Sequence, residues 1–162
     1  MHKGCMTCQH HHHDRCIQDA LAQAEQHCAQ KSLRFTDLRR KVFTLLWSSH
    51  KAMTASDVMD VLGRNQPPLT YRALDFLKEQ KLVHYVASLN AYVGCIHPEK
   101  NHIGQLFICS SCRDVLEIDC ATSLQNDMKD HARKNGFTVQ HTLIEVLGLC
   151  ASCSVSPMAN AS

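Results

Sequence analysis

PPLTYRALDFLKEQKLVHYVASLNAYVGC, residues 67–95, decides the fold, because inside it the hydrophobic period changes from helical to extended. Two prolines suit a helix's first turn, where their missing N–H groups are not needed. Leu69, Ala73, Phe76 and Leu77 follow at helical spacing and form the predicted apolar stripe. From Leu82 the period becomes that of strands. LVHYV (82–86) and AYVGC (91–95), separated by Ala87–Asn90, read as a hairpin. A turn symmetric about Leu89 and Asn90 sets His84 directly opposite Cys95, with Cβ atoms about 4.5–5.5 Å apart. Those atoms lie close enough for an imidazole and a thiolate to reach one ion.

On the N-terminal side the period stays helical. Ile17, Leu21, Ala24 and Cys28 lie on one face of a first helix. Thr36 is a predicted N-cap for a second, with Asp37 in its positive first turn and Val42, Leu45 and Leu46 inward. Thr54-Ala55-Ser56-Asp57 fits a capping box, after which Ala55, Val58, Met59 and Leu62 form a third stripe. Helices followed directly by a hairpin predict a winged helix-turn-helix over residues 17–95. On the C-terminal side, IHPEKNHIG (96–104) is polar, holds Pro98 and Gly104, and reads as a hinge. Strands at 105–109 and 115–118, a helix at 121–135 ended by Gly136, and a strand at 137–147 then complete a small α/β unit, 105–154. Residues 1–16 and 155–162 read as tails, the first disordered. The expected class is α+β: a winged helix-turn-helix domain, a fold suited to DNA, then a small α/β unit that needs a staple or a partner.

Cys109-Ser-Ser-Cys112 and Cys150-Ala-Ser-Cys153 are the most specific signal. Two residues between cysteines let both thiolates face one ion about 2.3 Å away, and two such pairs complete a tetrahedron. Zinc there would staple a unit too small for a generous core, contributing on the order of 10–16 kcal/mol of apparent binding energy. A thioredoxin-like redox pair would account for one CxxC and leave the other unexplained. A second ligand set is expected at the hinge: His84, Cys95, His102 and Glu117, with His97 competing for the place of His102. One sulfur, two nitrogens and one oxygen suit zinc better than ferrous iron. Taken singly, each of these residues has an ordinary reading, His84 and Cys95 as packed strand residues and Glu117 as a solvated carboxylate.

The bulk numbers narrow the setting. The 162 residues carry ten cysteines, twelve histidines and a formal charge of +2, so a nucleic-acid contact needs a local basic patch. Lys31, Arg34, Arg39, Arg40 and Lys41, set against Asp37 alone, provide one, although a solvated helix face has the same composition. No stretch is long and apolar enough for a signal peptide or a membrane span. A cytoplasmic, reducing compartment is therefore expected, where cysteine clusters bind metal more often than they form disulfides.

PPLTYRALDFL (67–77) resembles the recognition-helix motif of the ferric-uptake-regulator (Fur) family. LRFTDLRRKVF (33–43), with Thr36 and Arg39, is similar to the family's second-helix signature, and HTLIEVLGLCASC (141–153) to its last strand and second cysteine pair. The likeness spans roughly residues 18–154. Within the family LVHYVASLNAYVGC looks like the zinc-uptake branch, since iron sensors lack a cysteine where Cys95 ends the wing. The resemblance implies a homodimer that binds a palindromic operator when zinc-loaded and represses zinc-uptake genes. It implies two Zn2+ per subunit, structural on Cys109, Cys112, Cys150 and Cys153, regulatory on His84, Cys95, His102 and Glu117. Three departures stand out: Leu69-Thr70 replaces the usual Thr-Val, Asp37 replaces a common proline, and the histidine-rich third metal motif is missing between Cys95 and Cys109.

On the fourth helix Tyr71, Asp75 and Lys78 project away from the stripe, with Arg72 on its border. Arg72 reads a guanine edge or clamps phosphate; Tyr71 contacts a base or the backbone, or packs against the wing. Arg39 and Arg40 are expected on phosphates. Cys5, Cys8, His10, His11, His12, His13 and Cys16 form an extra metal site or a tail without function. The rival classes are an iron or peroxide sensor of the same family, a thiol-disulfide or zinc enzyme, and a zinc scaffold that does not bind DNA. No HExxH or HxE…PCxxC signature supports the zinc enzyme, and a site closed by four cysteines leaves no position for substrate.

Overall fold

The structure is a computed structural model that describes residues 13–49, 51–63, 67–96, 104–119, 122–140 and 142–155. The chain divides into two compact units, Met1–Glu99 and Lys100–Ser162. The expected hinge positions 97–103, with His97 and His102, and the tail residues Cys5, Cys8, His10, His11 and His12 lie outside the described residues.

The N-terminal unit contains α1 (His13–Gln30), α2 (Asp37–Ser49), β1 (Met53–Thr54), α3 (Ala55–Leu62), α4 (Pro67–Glu79), β2 (Val83–Val86) and β3 (Ala91–Gly94). The expectation of a tail through residue 16 is corrected at its end: α1 begins at His13, and Cys16 is a half-buried helical residue. Ala20, Ala24 and Cys28 bury the inner face of α1. Thr36 Oγ1 accepts from the Arg39 amide at 3.4 Å and caps α2. The capping box of α3 is complete: Thr54 Oγ1 accepts from the Asp57 amide at 3.1 Å, and Asp57 Oδ2 accepts from the Thr54 amide at 2.8 Å. Val42, Phe43, Leu46, Val58, Ala73, Leu74, Leu77 and Leu82 meet in one core beneath the helices.

Two details of residues 67–95 differ from the reading of the sequence. On α4 the buried row is Thr70, Ala73, Leu74 and Leu77 with Phe76, while Leu69 is 40% exposed. The fully buried Leu74 and Leu77 set the rotation of the helix and turn Leu69 outward. In the wing, Ala87–Leu89 form a 3₁₀ turn closed by the Asn90 amide on the Ala87 carbonyl. Asn90 takes the left-handed conformation (φ 48) and its Oδ1 accepts from the Tyr85 hydroxyl at 2.8 Å. The turn is thus centred between Ser88 and Leu89, and the register pairs His84 with Val93 rather than Cys95. The short β1, too brief to show a period, pairs with β3 to give a three-stranded wing of order β1-β3-β2.

The C-terminal unit contains β4 (Gly104–Cys109), β5 (Val115–Asp119), α5 (Thr122–Lys134), β6 (Leu143–Gly148) and α6 (Ala151–Ser154). β5 runs antiparallel and β6 parallel to the central β4. Gly136 (φ 76) ends α5 as expected, its amide bonded to the Arg133 carbonyl and that of Phe137 to Ala132. The last strand starts at Leu143, later than the expected 137, because residues 137–140 carry no ladder. The fold is therefore α+β, a winged helix-turn-helix followed by a small α/β unit. Among the described residues no helix is long and apolar enough to cross a membrane.

Candidate metal centres and nucleic-acid interface

Cys109 ends β4, and Cys112 follows on a tight turn made possible by Arg113 in the left-handed region (φ 61). The parallel partner β6 brings the chain to the same end of the sheet, where Cys150 precedes α6 and Cys153 lies on it. Ser110 joins the two loops, its amide and its hydroxyl both donating to the Gly148 carbonyl, at 2.9 and 3.0 Å. The four sulfurs lie within 4.8 Å of one another, and those of Cys112 and Cys150 are 3.7 Å apart. Four thiolates about 2.3 Å from a central zinc stand about 3.8 Å from each other, so the donor set fits that ion.

The electrostatics of the cluster also favour a cation. Amide donors from Cys112, Cys150 and Ser111 lower the Cys109 thiol to about 6, the Cys150 N–H lying 3.4 Å from its sulfur. At Cys112 the Asp114 amide pulls downward, but the neighbouring thiols of Cys109, Cys150 and Cys153 and burial outweigh it, and the group rises to about 12. Cys153 is also raised; the Ser111 hydroxyl opposes this, and contacts with Cys150 and Cys109 prevail. One thiolate therefore discourages the others until a metal arrives.

In the N-terminal unit, His84 on β2 and Cys95 just after β3 form the start of a second site. The ladder runs one bond past β3, from the Cys95 amide to the Leu82 carbonyl at 3.1 Å, so Cys95 opposes Leu82. A shift of two residues preserves the face of a strand, and His84 and Cys95 are diagonal neighbours on it. Their ligand atoms lie within 4.8 Å, with 9% and 1% of the residues exposed. Gly94, paired with Val83 and preceding Cys95, runs close against the Trp47 ring: a Cβ there would sit 2.7 Å from its Cδ1. Sequence reasoning missed this close approach, although Gly94 inside a strand was its signal. Glu117, in the other unit, pairs with Leu106 on the buried face of its sheet and is only 4% exposed. A carboxylate that buried needs a hydrogen-bonding or cationic neighbour.

The residues expected on DNA divide into two groups. Tyr71, Arg72 and Lys78 are exposed on the outer side of α4. Lys78 Nζ lies 3.4 Å from Asp75 Oδ1 and 5.8 Å from the centre of the Tyr85 ring. Arg39 and Arg40 have structural partners. The Arg39 guanidinium stacks 3.4 Å over the Phe76 ring and donates to the Arg34 carbonyl, locking α2 to α4. Arg40 bridges Glu25 of α1 at 2.6 Å and Asp37 at 3.0 Å while staying partly exposed.

A winged helix-turn-helix followed by a sheet clasped by four thiols defines a metal-dependent regulator class, and the family profile agrees. The ferric uptake regulator family matches residues 30–147, and the chain belongs to it. Over 141 residues it is 43% identical to the zinc uptake regulation protein of Escherichia coli K12, covering 84% of this chain and 82% of that protein. The same figures hold for the protein of that name from Shigella flexneri. Among solved structures, a zinc uptake regulator complexed with zinc and DNA superposes with a TM-score of 0.79 at 42% identity, covering 86% of this chain and 95% of that one. The holo form of XcZur gives a TM-score of 0.77 at 32% identity, over 85% and 99%.

Proposed function

We propose that the chain is a zinc-responsive, sequence-specific DNA-binding repressor of zinc-uptake genes, working in the cytoplasm as a zinc-loaded homodimer. The observation that carries this reading is the thiol of Cys95 within 4.8 Å of the His84 imidazole at the end of the wing. A soft sulfur beside nitrogen favours zinc over ferrous iron. His102 and Glu117 complete that regulatory shell, while Cys109, Cys112, Cys150 and Cys153 hold a structural zinc, giving two ions per subunit. The likeness to zinc uptake regulators supports the assignment of metal and targets, and the regulators' family argues against an enzyme.

The second copy would cover the open face of the C-terminal sheet. Phe107, Leu116, Ile118 and Val146 lie there 36–45% exposed, an apolar set that water leaves unfavourably solvated. A two-fold dimer carries two α4 helices and requires a palindromic operator. Tyr71 and Arg72 would meet base edges and Lys78 phosphate, with Arg39 and Arg40 reaching phosphate only at the edge of their internal contacts. Zinc acts by preferring the arrangement in which His84 and Cys95 of one unit share it with Glu117 of the other, and that preference shifts the population toward the DNA-binding form.

The test is Cys95→Ser, with operator affinity followed against free zinc. The zinc dependence of binding should disappear while the metal of the four-cysteine cluster remains. Unchanged zinc dependence would remove Cys95 from the sensor and leave the reading without its support.

A further inference from the structure

We propose that Leu69 is a specificity-determining residue that contacts the C5-methyl of a thymine next to the base pair read by Arg72. The inference rests on the DNA-binding reading above and assigns part of its sequence preference. Thr70, Ala73, Leu74 and Leu77 fill the inner side of α4, and Leu69 stands on the outer side, 40% exposed. The residues before it, Pro67 and Pro68, are also exposed and have no N–H to donate. A helix normally begins with four unsatisfied amides that can cradle a phosphate. Here two of them are replaced by proline, leaving an apolar start suited to base edges rather than to the backbone.

The outer side of α4 presents two rows. Along one, Lys78 is paired with Asp75 at 3.4 Å. Along the other, Leu69 and the exposed Arg72 are three residues apart, with Cβ atoms about 5–6 Å from each other. Three helical residues climb about 4.5 Å, close to the base-pair spacing of about 3.4 Å. Side chains so placed address neighbouring base pairs. Arginine pairs with the O6 and N7 of guanine, and the one methyl that unmodified bases show in the major groove is that of thymine. A leucine in that position has one favourable partner there.

The experiment uses the full-length, zinc-loaded protein and duplexes it selects from a randomised library. Each thymine of the selected half-site is replaced by uracil, which lacks only the methyl. One replacement should weaken the native protein about three- to five-fold, the worth of one buried methyl. Leu69→Ala should bind the thymine and uracil duplexes equally, with unchanged circular dichroism and zinc content. Discrimination that persists in Leu69→Ala, or a native protein indifferent to every uracil, would overturn the assignment. If no sequence emerges from selection, the DNA-reading function itself fails, before the thymine question arises.

Discussion

In the N-terminal unit the buried cluster runs from Ala20 on α1 to Tyr92 on β3 and draws on every helix there. In the C-terminal unit the buried apolar side chains among the described residues are Leu106, Ile108, Cys109 and Val115, all from two strands or their ends. Its helix α5 keeps Leu124 41% exposed, and Phe137 beyond it is 73% exposed. One unit closes a core by apolar burial; the other leaves much of its apolar surface open and brings four thiols together instead. Small folds with thin cores are commonly completed by a metal or a partner.

The largest effect that would sharpen this contrast is expected for Cys112→Ala. Losing the clasp removes binding energy on the order of 10 kcal/mol. The C-terminal unit should lose its zinc, its ordered sheet and its ability to pair, while the winged helix keeps its melting transition. Zinc content, heteronuclear NMR and sedimentation read each part separately, and a folded zinc-free dimer would break the comparison. Leu74→Ala acts on the other unit: a cavity at a fully buried position costs about 2–5 kcal/mol. Denaturant melts should show that loss in the winged helix, with the metal of the cysteine cluster unmoved.

The clasp also carries a pH dependence of its own. Metal-free Cys112 keeps its proton up to about 12 and Cys153 is also raised, so zinc must displace protons from both. Zinc affinity of the cluster should therefore fall as pH falls, at least about a hundredfold per unit for two displaced protons, and more steeply below about 6, where Cys109 also protonates. Chelator competition across pH 5.5–8 measures it, and a flat profile would contradict the thiol coupling. The smallest effect is Thr54→Ala, which removes the cap of α3 and should cost about 1 kcal/mol in the winged helix alone.

Most of this division is legible in the residues. Capping chemistry is local, so Thr54 and Asp57 announced their box, and Gly136 its helix end. Cysteine spacing is equally local, so both CxxC pairs were readable before any strand order was known. The wing register was not. It depends on whether Ala87–Leu89 coil into a 3₁₀ turn, and that was settled by Asn90 and the Tyr85 hydroxyl rather than by strand periodicity. The error left the chemistry intact, because a two-residue slip keeps His84 and Cys95 on one face. The phase of α4 failed for a related reason: Leu69 and Leu74 are both apolar, and only the packed core selects Leu74. The Phe76 ring under Arg39, whose expected partner is phosphate, is set by tertiary packing and has no local signal in the residues.

The parallel pairing of β6 with β4 has a consequence for biosynthesis. The second cysteine pair leaves the ribosome about forty residues after the first, Cys150 lying 41 positions beyond Cys109. The reading head is translated and can settle well before the clasp has all its sulfurs. A chain interrupted after the first unit, which ends at Glu99, and before Cys150 would own a finished head with nothing to fasten its tail, and would reach the cell's proteases in that state.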